Sequence, residues 1–120
     1  MKIVISANGP NLEAQVDPRF GRSAYFLLVN PESMEYEVLT NGQNLQAAQG
    51  AGIEAAAQVA RHQPAAVLTG NCGPKAFQTL QAAGIPVIVG VEGPVRAAVQ
   101  NYRAGKLKPT TEPNVTSRWR

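Results

Sequence analysis

The chain has 120 residues, of which 44% are hydrophobic and 16% are charged, a balance that suits one globular domain with a single core. This composition excludes a disordered polyelectrolyte, and the single cysteine, Cys72, excludes an internal disulfide or a multi-cysteine metal cage. The net charge of +3 comes from 11 basic and 8 acidic residues. Because several basic residues are concentrated after position 102, the rest of the chain is close to neutral.

We predict that residues 1–107 form one α/β domain and that residues 108–120 form a basic, irregular tail. Such a tail can bind nucleic acid or an acidic partner, but most are simply solvated, so nucleic acid is not an expected partner. No membrane is expected either, because the longest apolar runs fall far short of the roughly 20 residues that span a bilayer. The first apolar stretch ends at Asn8, too early for a signal peptide, and we therefore expect a cytoplasmic protein.

Apolar runs separated by turn signals predict five strands. They cover residues 2–7, 24–30, 34–39, 65–69 and 85–89. A short turn at Pro31 joins the second and third runs, which indicates an antiparallel hairpin. The long connection at residues 8–23 is of a length that is usually functional or disordered. We expect it to be mobile without a ligand, because Leu12, Val16 and Phe20 are its few apolar anchors.

Three helices are predicted between and after the later strands. They cover residues 45–61, 74–84 and 95–104. In the first, which is rich in alanine, the helical spacing of Ile53, Ala57 and Ala60, with Ala56 beside them, predicts the inner face. The second begins at or near Pro74 and is capped by Gly84.

The order of elements is therefore β-β-β-α-β-α-β-α. A meander of three strands followed by two right-handed βα crossovers gives a mixed five-strand sheet with helices on its faces, a layout that resembles the ribonuclease-H-like fold. The first, fourth and fifth strands then run in the same direction. Their carboxyl ends meet at one edge of the sheet, where open α/β sheets bind ligands.

Four loops and the N-termini of the three helices gather at this edge, which we call the rim. The loops are residues 8–23, 40–50, 70–74 and 90–94. Helix N-termini and glycine turns present N–H groups, and Arg19, Arg22 and Lys75 add positive charge. We therefore expect the rim to bind an anion. His62, at the opposite end of its helix, is interpreted as a structural or surface residue.

Two segments of the chain carry a more specific pattern. They are VDPRFGRS at residues 16–23 and TGNCGPKAF at residues 69–77, the latter followed by LQAAGI at residues 80–85. Together they resemble the dinitrogenase iron–molybdenum cofactor biosynthesis family, and in particular its small, free-standing members. The resemblance implies a cytoplasmic carrier, with a ribonuclease-H-like fold, for an anionic metal–sulfide cluster. This cluster is implied to be a molybdenum–copper sulfide or a related thiometallate, such as one like the iron–molybdenum cofactor, bound without covalent attachment and passed to a recipient protein.

The resemblance and the anionic character of the cluster together imply a set of contacts at the rim. They are Arg19, Phe20, Gly21, Arg22, Ser23, Gly70, Asn71, Cys72, Gly73 and Lys75. Phe20 is equally well interpreted as a core residue that anchors the long connection. Some cofactor-carrying relatives have a histidine in a D-x-H-F-G motif where this chain has Arg19. Arginine binds anions but does not ligate metals, so the sequence favours electrostatic binding over histidine ligation.

Cys72 has two interpretations that the sequence does not separate. Its thiolate, stabilised by the start of the following helix, would ligate copper, iron or molybdenum. Alternatively, it is a small residue that fits a tight turn.

Two other function classes are compatible with parts of the sequence. A nuclease is suggested only by the topology, and its two-metal chemistry needs clustered carboxylates, whereas the chain has one aspartate, Asp17, and scattered glutamates. A metal-free regulatory module would bind a protein partner through the rim or the tail. No convincing Ser–His–Asp or Cys–His arrangement and no phosphate-binding glycine motif is present. We therefore predict a binding protein that is not an enzyme.

Overall fold

The structure is a computed structural model that describes residues 1–41 and 51–110, with Ala51 described by its backbone. The five strands are β1 (Ile3–Ala7), β2 (Tyr25–Val29), β3 (Tyr36–Thr40), β4 (Val67–Leu68) and β5 (Val87–Ile88). The three helices are α1 (Ala51–Ala60), α2 (Pro74–Ala82) and α3 (Val95–Arg103). This is the predicted order of elements. The predicted start of the first helix, at residues 45–50, lies outside the described residues.

The five strands form one mixed sheet in the order β3-β2-β1-β4-β5. Strand β2 is antiparallel to β1 and β3, whereas β4 is parallel to both β1 and β5. The predicted ribonuclease-H-like layout is confirmed. Because β1, β4 and β5 run in the same direction, their carboxyl ends meet at the rim.

Both faces of the sheet are buried everywhere except along the edge strand β3, and the strand register explains why. Ile5 pairs with Leu27 on β2 and with Leu68 on β4, so the three side chains share one face. That face packs against α3 and the first half of the long connection, through Val95, Val99, Leu12 and Val16. The other face packs against α1 and α2, through Ala55, Val59, Phe77 and Leu80. A central strand that is covered on both sides is mostly apolar, as in β1, where Ser6 is the one polar residue.

The inner face of α1 agrees with the prediction at Ala56 and Ala60 and differs elsewhere. Ile53 is exposed, and the residues buried against the sheet are Ala55, Ala56 and Val59. In an alanine-rich helix the apolar pattern is weak, so one isoleucine does not fix the orientation. Close packing against α2 decides it: a Cβ atom on Gly52 would lie 3.4 Å from Cβ of Ala76.

The ends of the later helices follow the sequence signals. Helix α2 begins at Pro74. Proline has no backbone N–H, but the first residue of a helix has no acceptor for one within the helix, so no hydrogen bond is lost there. Gly84 and Gly105 follow α2 and α3 with φ angles of 77° and 75°, the left-handed conformation that favours glycine after a helix.

Past α3, the chain returns to the β5 edge of the sheet. The Thr110 N–H donates to the Val87 carbonyl oxygen at 2.7 Å, and the Val89 N–H donates to Thr110 Oγ1 at 3.2 Å. Residues 111–120, which include most of the predicted tail, lie outside the described residues. Among the helices that the structure describes, none has the length and hydropathy needed to cross a bilayer.

Candidate functional site

The long connection, residues 8–23, is held by its apolar side chains and by its backbone. Leu12, Val16 and Phe20 are all buried. The backbone N–H of Val16 donates to Gly93, that of Asp17 to Ser6 and that of Phe20 to Asn71, at 2.8, 2.9 and 3.1 Å. These contacts tie the connection to three separate parts of the fold. The structure therefore favours an ordered segment over the mobile one expected from the sequence.

The first half of this connection covers the N-terminus of α3. The N–H groups of Val95 and Arg96 donate to the carbonyl oxygens of Ala14 and Leu12, at 2.8 and 2.9 Å. The Arg96 guanidinium also contacts the Glu13 carboxylate at 2.7 Å. Because these helix-terminal donors already have acceptors, α3 does not offer them to an anion. The expectation that all three helix N-termini serve the rim is wrong for α3.

The second half of the connection begins with a turn at Asp17. The Asp17 Oδ1 atom accepts the backbone N–H of Arg19 at 2.9 Å, an interaction that fixes the direction of the chain. The Arg19 Nε atom lies 4.0 Å from the same oxygen, and its side chain is 67% exposed. Asp17 itself is buried, so this turn holds Arg19 at the surface of the rim.

The turn at Asp17 delivers residues 18–22, which we call the Arg19 segment, to residues 70–74, which we call the Asn71 turn. Arg19 and Asn71 form a parallel bridge, and the Phe20 N–H donates to the Asn71 carbonyl oxygen at 3.1 Å. In return, the Asn71 Nδ2 group donates to the Pro18 carbonyl oxygen at 2.9 Å. The structure thus brings together two segments that are about fifty positions apart in the chain.

Directly after the Asn71 turn, α2 begins without a side-chain cap. Its N-cap is Gly73, and among the residues that the structure describes no side chain caps this helix start. Unsatisfied donors at a helix start carry a partial positive charge of roughly half an electron. Lys75, in the first turn, is exposed and adds a full charge. Because Gly52 packs on Ala76, the first turns of α1 and α2 also lie side by side.

A pair of buried hydroxyl groups supports the rim from below. Ser6 Oγ lies 2.8 Å from the Asp17 carbonyl oxygen and 2.7 Å from Thr69 Oγ1. A hydroxyl has one proton and a carbonyl only accepts, so Ser6 donates to Asp17 and Thr69 donates to Ser6. The pair connects the ends of β1 and β4 to the turn that carries Arg19.

Two further buried polar residues fix the far end of the Arg19 segment. Asn41, just after β3, donates from Nδ2 to the carbonyl oxygens of Ser23 at 2.7 Å and Gly21 at 3.2 Å. The Ser23 Oγ atom accepts the Ala7 N–H at 3.0 Å and lies 2.7 Å from the Tyr25 carbonyl oxygen. The segment that contains Arg22, which is half-buried, is therefore fixed at both ends.

Three of the ten residues expected to contact the cluster are buried in the protein. They are Phe20, Ser23 and Cys72. The Phe20 ring lies 5.1 Å from that of Phe26, centroid to centroid, in the core between the sheet and helices α1 and α2. The structure thus supports the interpretation of Phe20 as an anchor. Arg19, Asn71 and Lys75 are exposed, and the other four, Gly21, Arg22, Gly70 and Gly73, are half-buried.

Burial also changes the chemistry of Cys72. The thiol is packed in the apolar core, and burial raises the pKa of Cys72 to about 12. The expected stabilisation of a Cys72 thiolate by the start of α2 is therefore wrong in direction, because desolvation disfavours the charged form. Burial therefore makes the thiolate, which is the form that ligates metals, harder to form than in an exposed cysteine.

The polar residues Ser6, Thr69, Asn41 and Asp17 support the site, and the sequence analysis did not include them in it. Asp17 had a recognisable signal, since aspartate two residues before a backbone donor is typical of such turns. The others depend on contacts between distant segments, which no local pattern predicts.

His62 is exposed just past the C-terminal end of α1, as expected. Within residues 1–41 and 51–110, no three His, Cys, Asp or Glu side chains are grouped so that they could hold a metal ion.

The sequence of residues 1–105 matches the family described as dinitrogenase iron–molybdenum cofactor. The chain belongs to this family. The match spans the sheet, all three helices and the rim. Among curated proteins, none is significantly similar in sequence.

Solved structures agree with this assignment. The apo form of the orange protein from Desulfovibrio gigas is 46% identical, with a TM-score of 0.90 over 94% of this chain and 95% of that one. A putative NifB protein from Thermotoga is 30% identical, with a TM-score of 0.76 over 90% of this chain and 91% of that one. A putative dinitrogenase from Methanocaldococcus jannaschii, 16% identical with a TM-score of 0.71 over 94% and 97% of the two chains, shows the shared fold alone. The family and the likeness to a small, free-standing member are confirmed.

Proposed function

We propose that this protein binds an anionic, molybdenum-containing metal–sulfide cluster at the rim without covalent attachment and passes it to a recipient protein. The observation that carries the proposal is the pairing of the Arg19 segment with the Asn71 turn beside the uncapped start of α2. Membership of the dinitrogenase iron–molybdenum cofactor family and similarity to the orange protein support a role in cluster binding.

The donors at the rim suit the surface of such a cluster. A thiometallate presents sulfide atoms with negative charge, which accept hydrogen bonds and attract cations. Arg19 and Lys75 are exposed and Arg22 is half-buried, so three positively charged side chains lie within or next to the two segments. Backbone N–H groups at the start of α2 add directed donors. Arginine and backbone N–H groups bind anions without becoming metal ligands, so the cargo remains removable.

The backbone positions proposed to contact the cluster are Gly21, Gly70, Asn71 and Gly73. Phe20 and Ser23 hold the binding surface from behind, since both are buried. The proposal needs no metal ligand from Cys72, because burial raises the pKa of its thiol to about 12 and so disfavours the thiolate. A molybdenum–copper sulfide is the cargo that the resemblance implies most directly, and a cluster like the iron–molybdenum cofactor is a related candidate.

Reconstitution without oxygen tests the proposal. The purified protein is mixed with tetrathiomolybdate and copper(I), desalted, and measured by visible absorbance and by molybdenum and copper content per chain. We expect the wild type to retain both metals and a double variant, Arg19→Ala with Arg22→Ala, to bind at least tenfold more weakly. A matched double variant, Arg61→Ala with Arg103→Ala, removes the same charge from exposed positions away from the rim and should retain the metals.

Two results would refute cluster binding at the rim. One is a wild type that retains no molybdenum under these conditions. The other is an equal loss of binding in the two double variants, because the effect would then come from net charge and not from the site. A Cys72→Ala variant should retain the cluster, and its failure to do so while remaining folded would restore cysteine ligation.

A further inference from the structure

The edge strand β3 pairs with β2 through alternate residues. The Asn41 N–H donates to the Ala24 carbonyl oxygen at 3.0 Å, and the Asn30 N–H donates to the Glu35 carbonyl oxygen at 2.9 Å. In an antiparallel ladder, directly opposed pairs alternate between bonded and non-bonded. The odd-numbered positions of β3 therefore face β2, and the even-numbered positions direct their backbone groups away from the sheet.

The outward-facing positions are Tyr36, Val38 and Thr40. The Thr40 carbonyl oxygen accepts the Gln58 Nε2 group at 3.0 Å, so the open part of the edge is centred on Tyr36 and Val38. No strand within residues 1–41 and 51–110 pairs with this edge. The side chains of Tyr36 and Val38 are 42% and 39% exposed and share one face of β3. The edge thus offers hydrogen-bonding groups and apolar surface at the same positions.

The opposite edge of the sheet is treated differently. The Thr110 N–H donates to the Val87 carbonyl oxygen, and the Thr110 hydroxyl oxygen accepts the Val89 N–H. The chain itself therefore covers part of β5. An uncovered edge strand tends to pair with another chain, and proteins usually block such pairing. Among the described residues, β3 has no covering segment of the kind that Thr110 provides for β5, so its edge is open to pairing with another chain.

The charges on β3 select the kind of segment that could pair with it. Glu35 and Glu37 are exposed and lie on the face opposite to Tyr36 and Val38. A partner strand with basic residues at alternate positions would oppose these glutamates, and the residues between them would lie beside Tyr36 and Val38. A second copy of β3 would instead bring like charges together, which disfavours self-association.

The position of β3 connects this edge to the rim. The strand ends at Thr40, and the side chain of the next residue, Asn41, donates hydrogen bonds to the carbonyl oxygens of Gly21 and Ser23. A strand added along β3 would therefore reach the surface next to Arg22.

We infer that β3 is a docking edge for an extended segment of another protein, with alternating basic and apolar residues, that adds to the sheet beside Tyr36 and Val38. The identification of that protein as the recipient of the cluster rests on the proposed function. The strand pairing does not, since it involves no residue proposed to contact the cluster.

A synthetic peptide of alternating lysine and valine, seven residues long and blocked at both ends, tests the inference. It is titrated into the isotope-labelled, full-length protein without cluster, and backbone amide signals are followed by NMR. We expect shift changes concentrated at residues 35–41 and slower exchange of the Val38 N–H. A peptide with glutamate in place of lysine, and one that is N-methylated at alternate backbone positions, should bind at least tenfold more weakly.

A pair of variants at one position separates backbone pairing from side-chain contact. Val38→Pro removes an N–H that has no role in the β2 ladder, and proline is tolerated at such edge positions. It should weaken peptide binding at least tenfold, whereas Val38→Thr keeps the N–H and should bind nearly as the wild type does. The N-methylated peptide gives the same information if Val38→Pro does not fold.

Several outcomes would overturn the inference. Equal binding to the wild type and to folded Val38→Pro would exclude strand pairing at this edge, and so would shift changes confined to the rim. A wild-type dimer that Val38→Pro converts to a monomer would assign the edge to a second copy. A wild type that retains the metals in the reconstitution but does not bind the peptide would end the docking inference and leave the proposed function intact.

Discussion

Gly70 and Pro18 pack so closely that a Cβ atom on Gly70 would lie 2.7 Å from the Cα atom of Pro18. The neighbouring atoms are backbone, including the Pro18 carbonyl oxygen at 3.0 Å, and they cannot rotate away as a side chain can. The absence of a side chain at Gly70 is therefore what allows the Arg19 segment to lie on the Asn71 turn.

A Gly70→Ala substitution should separate these two segments. We expect a loss of about 1–3 kcal/mol in the free energy of unfolding, the usual cost of a forced backbone shift, together with weaker cluster retention. Urea denaturation measures the first and anaerobic reconstitution the second. Gly73→Ala is the control for stability, because a Cβ atom there meets nothing within 4 Å and its φ angle of −73° suits any residue. An unfolding free energy in Gly70→Ala equal to that of the wild type would contradict the proposed close approach.

The Ser6–Thr69 hydroxyl pair should contribute to stability as a buried polar contact. Thr69→Val removes the donor to Ser6 and leaves a buried oxygen with one partner fewer, which we expect to lower the free energy of unfolding by about 1–3 kcal/mol. Thr79→Val is a matched control, because the Thr79 hydroxyl makes only a local bond to the Lys75 carbonyl oxygen near the surface. If both substitutions cost the same, the hydroxyl pair has no special role below the rim.

The Cys72 thiol should give the protein an alkaline limit of stability. Its pKa is raised from 9.0 to about 12 by burial, so between these values the unfolded chain loses a proton that the folded chain keeps. The free energy of unfolding should therefore fall as the pH rises above 9, by at most about 1.4 kcal/mol per pH unit from this group. The comparison is between wild type and Cys72→Ala, which should lack this component. Parallel pH profiles for the two proteins would rule it out.

Hydrogen exchange tests the order of the long connection. The N–H groups of Val16, Asp17 and Phe20 all have backbone acceptors in other segments, so we expect them to exchange far more slowly than the exposed amides of the same connection. NMR or mass spectrometry of the protein without cluster measures this directly. Uniformly fast exchange across residues 8–23 would instead support the mobility expected from the sequence.

The sheet could be predicted from the sequence because its information is local and redundant. Each strand is an apolar run bounded by turn residues, and the βα crossovers then make β4 and β5 parallel to β1. The buried face of α1 could not be predicted in the same way, because alanine is small enough to lie either in the core or at the surface. Its orientation depends on the packing of Gly52 against Ala76 of α2, a contact between distant segments.

The candidate site was predictable only in part. The motifs that contain Arg19 and Asn71 lie in two segments that the structure pairs, and the topology predicted that they share one edge. The roles of Ser23 and Asn41 were not predictable, since each depends on hydrogen bonds to distant backbone atoms. The burial of Cys72 was equally hidden, because a cysteine before a helix start looks the same in sequence whether its side chain points to solvent or to the core.

The carbonyl groups of Leu12 and Ala14 that accept the first N–H groups of α3 divide the long connection into two independent units. Its first part is a brace that contacts only the scaffold, whereas its second part combines a buried anchor, Phe20, with an exposed side chain, Arg19. Evolution or protein engineering can therefore alter the exposed Arg19 to select a different guest, while the brace and the buried Phe20 preserve the architecture.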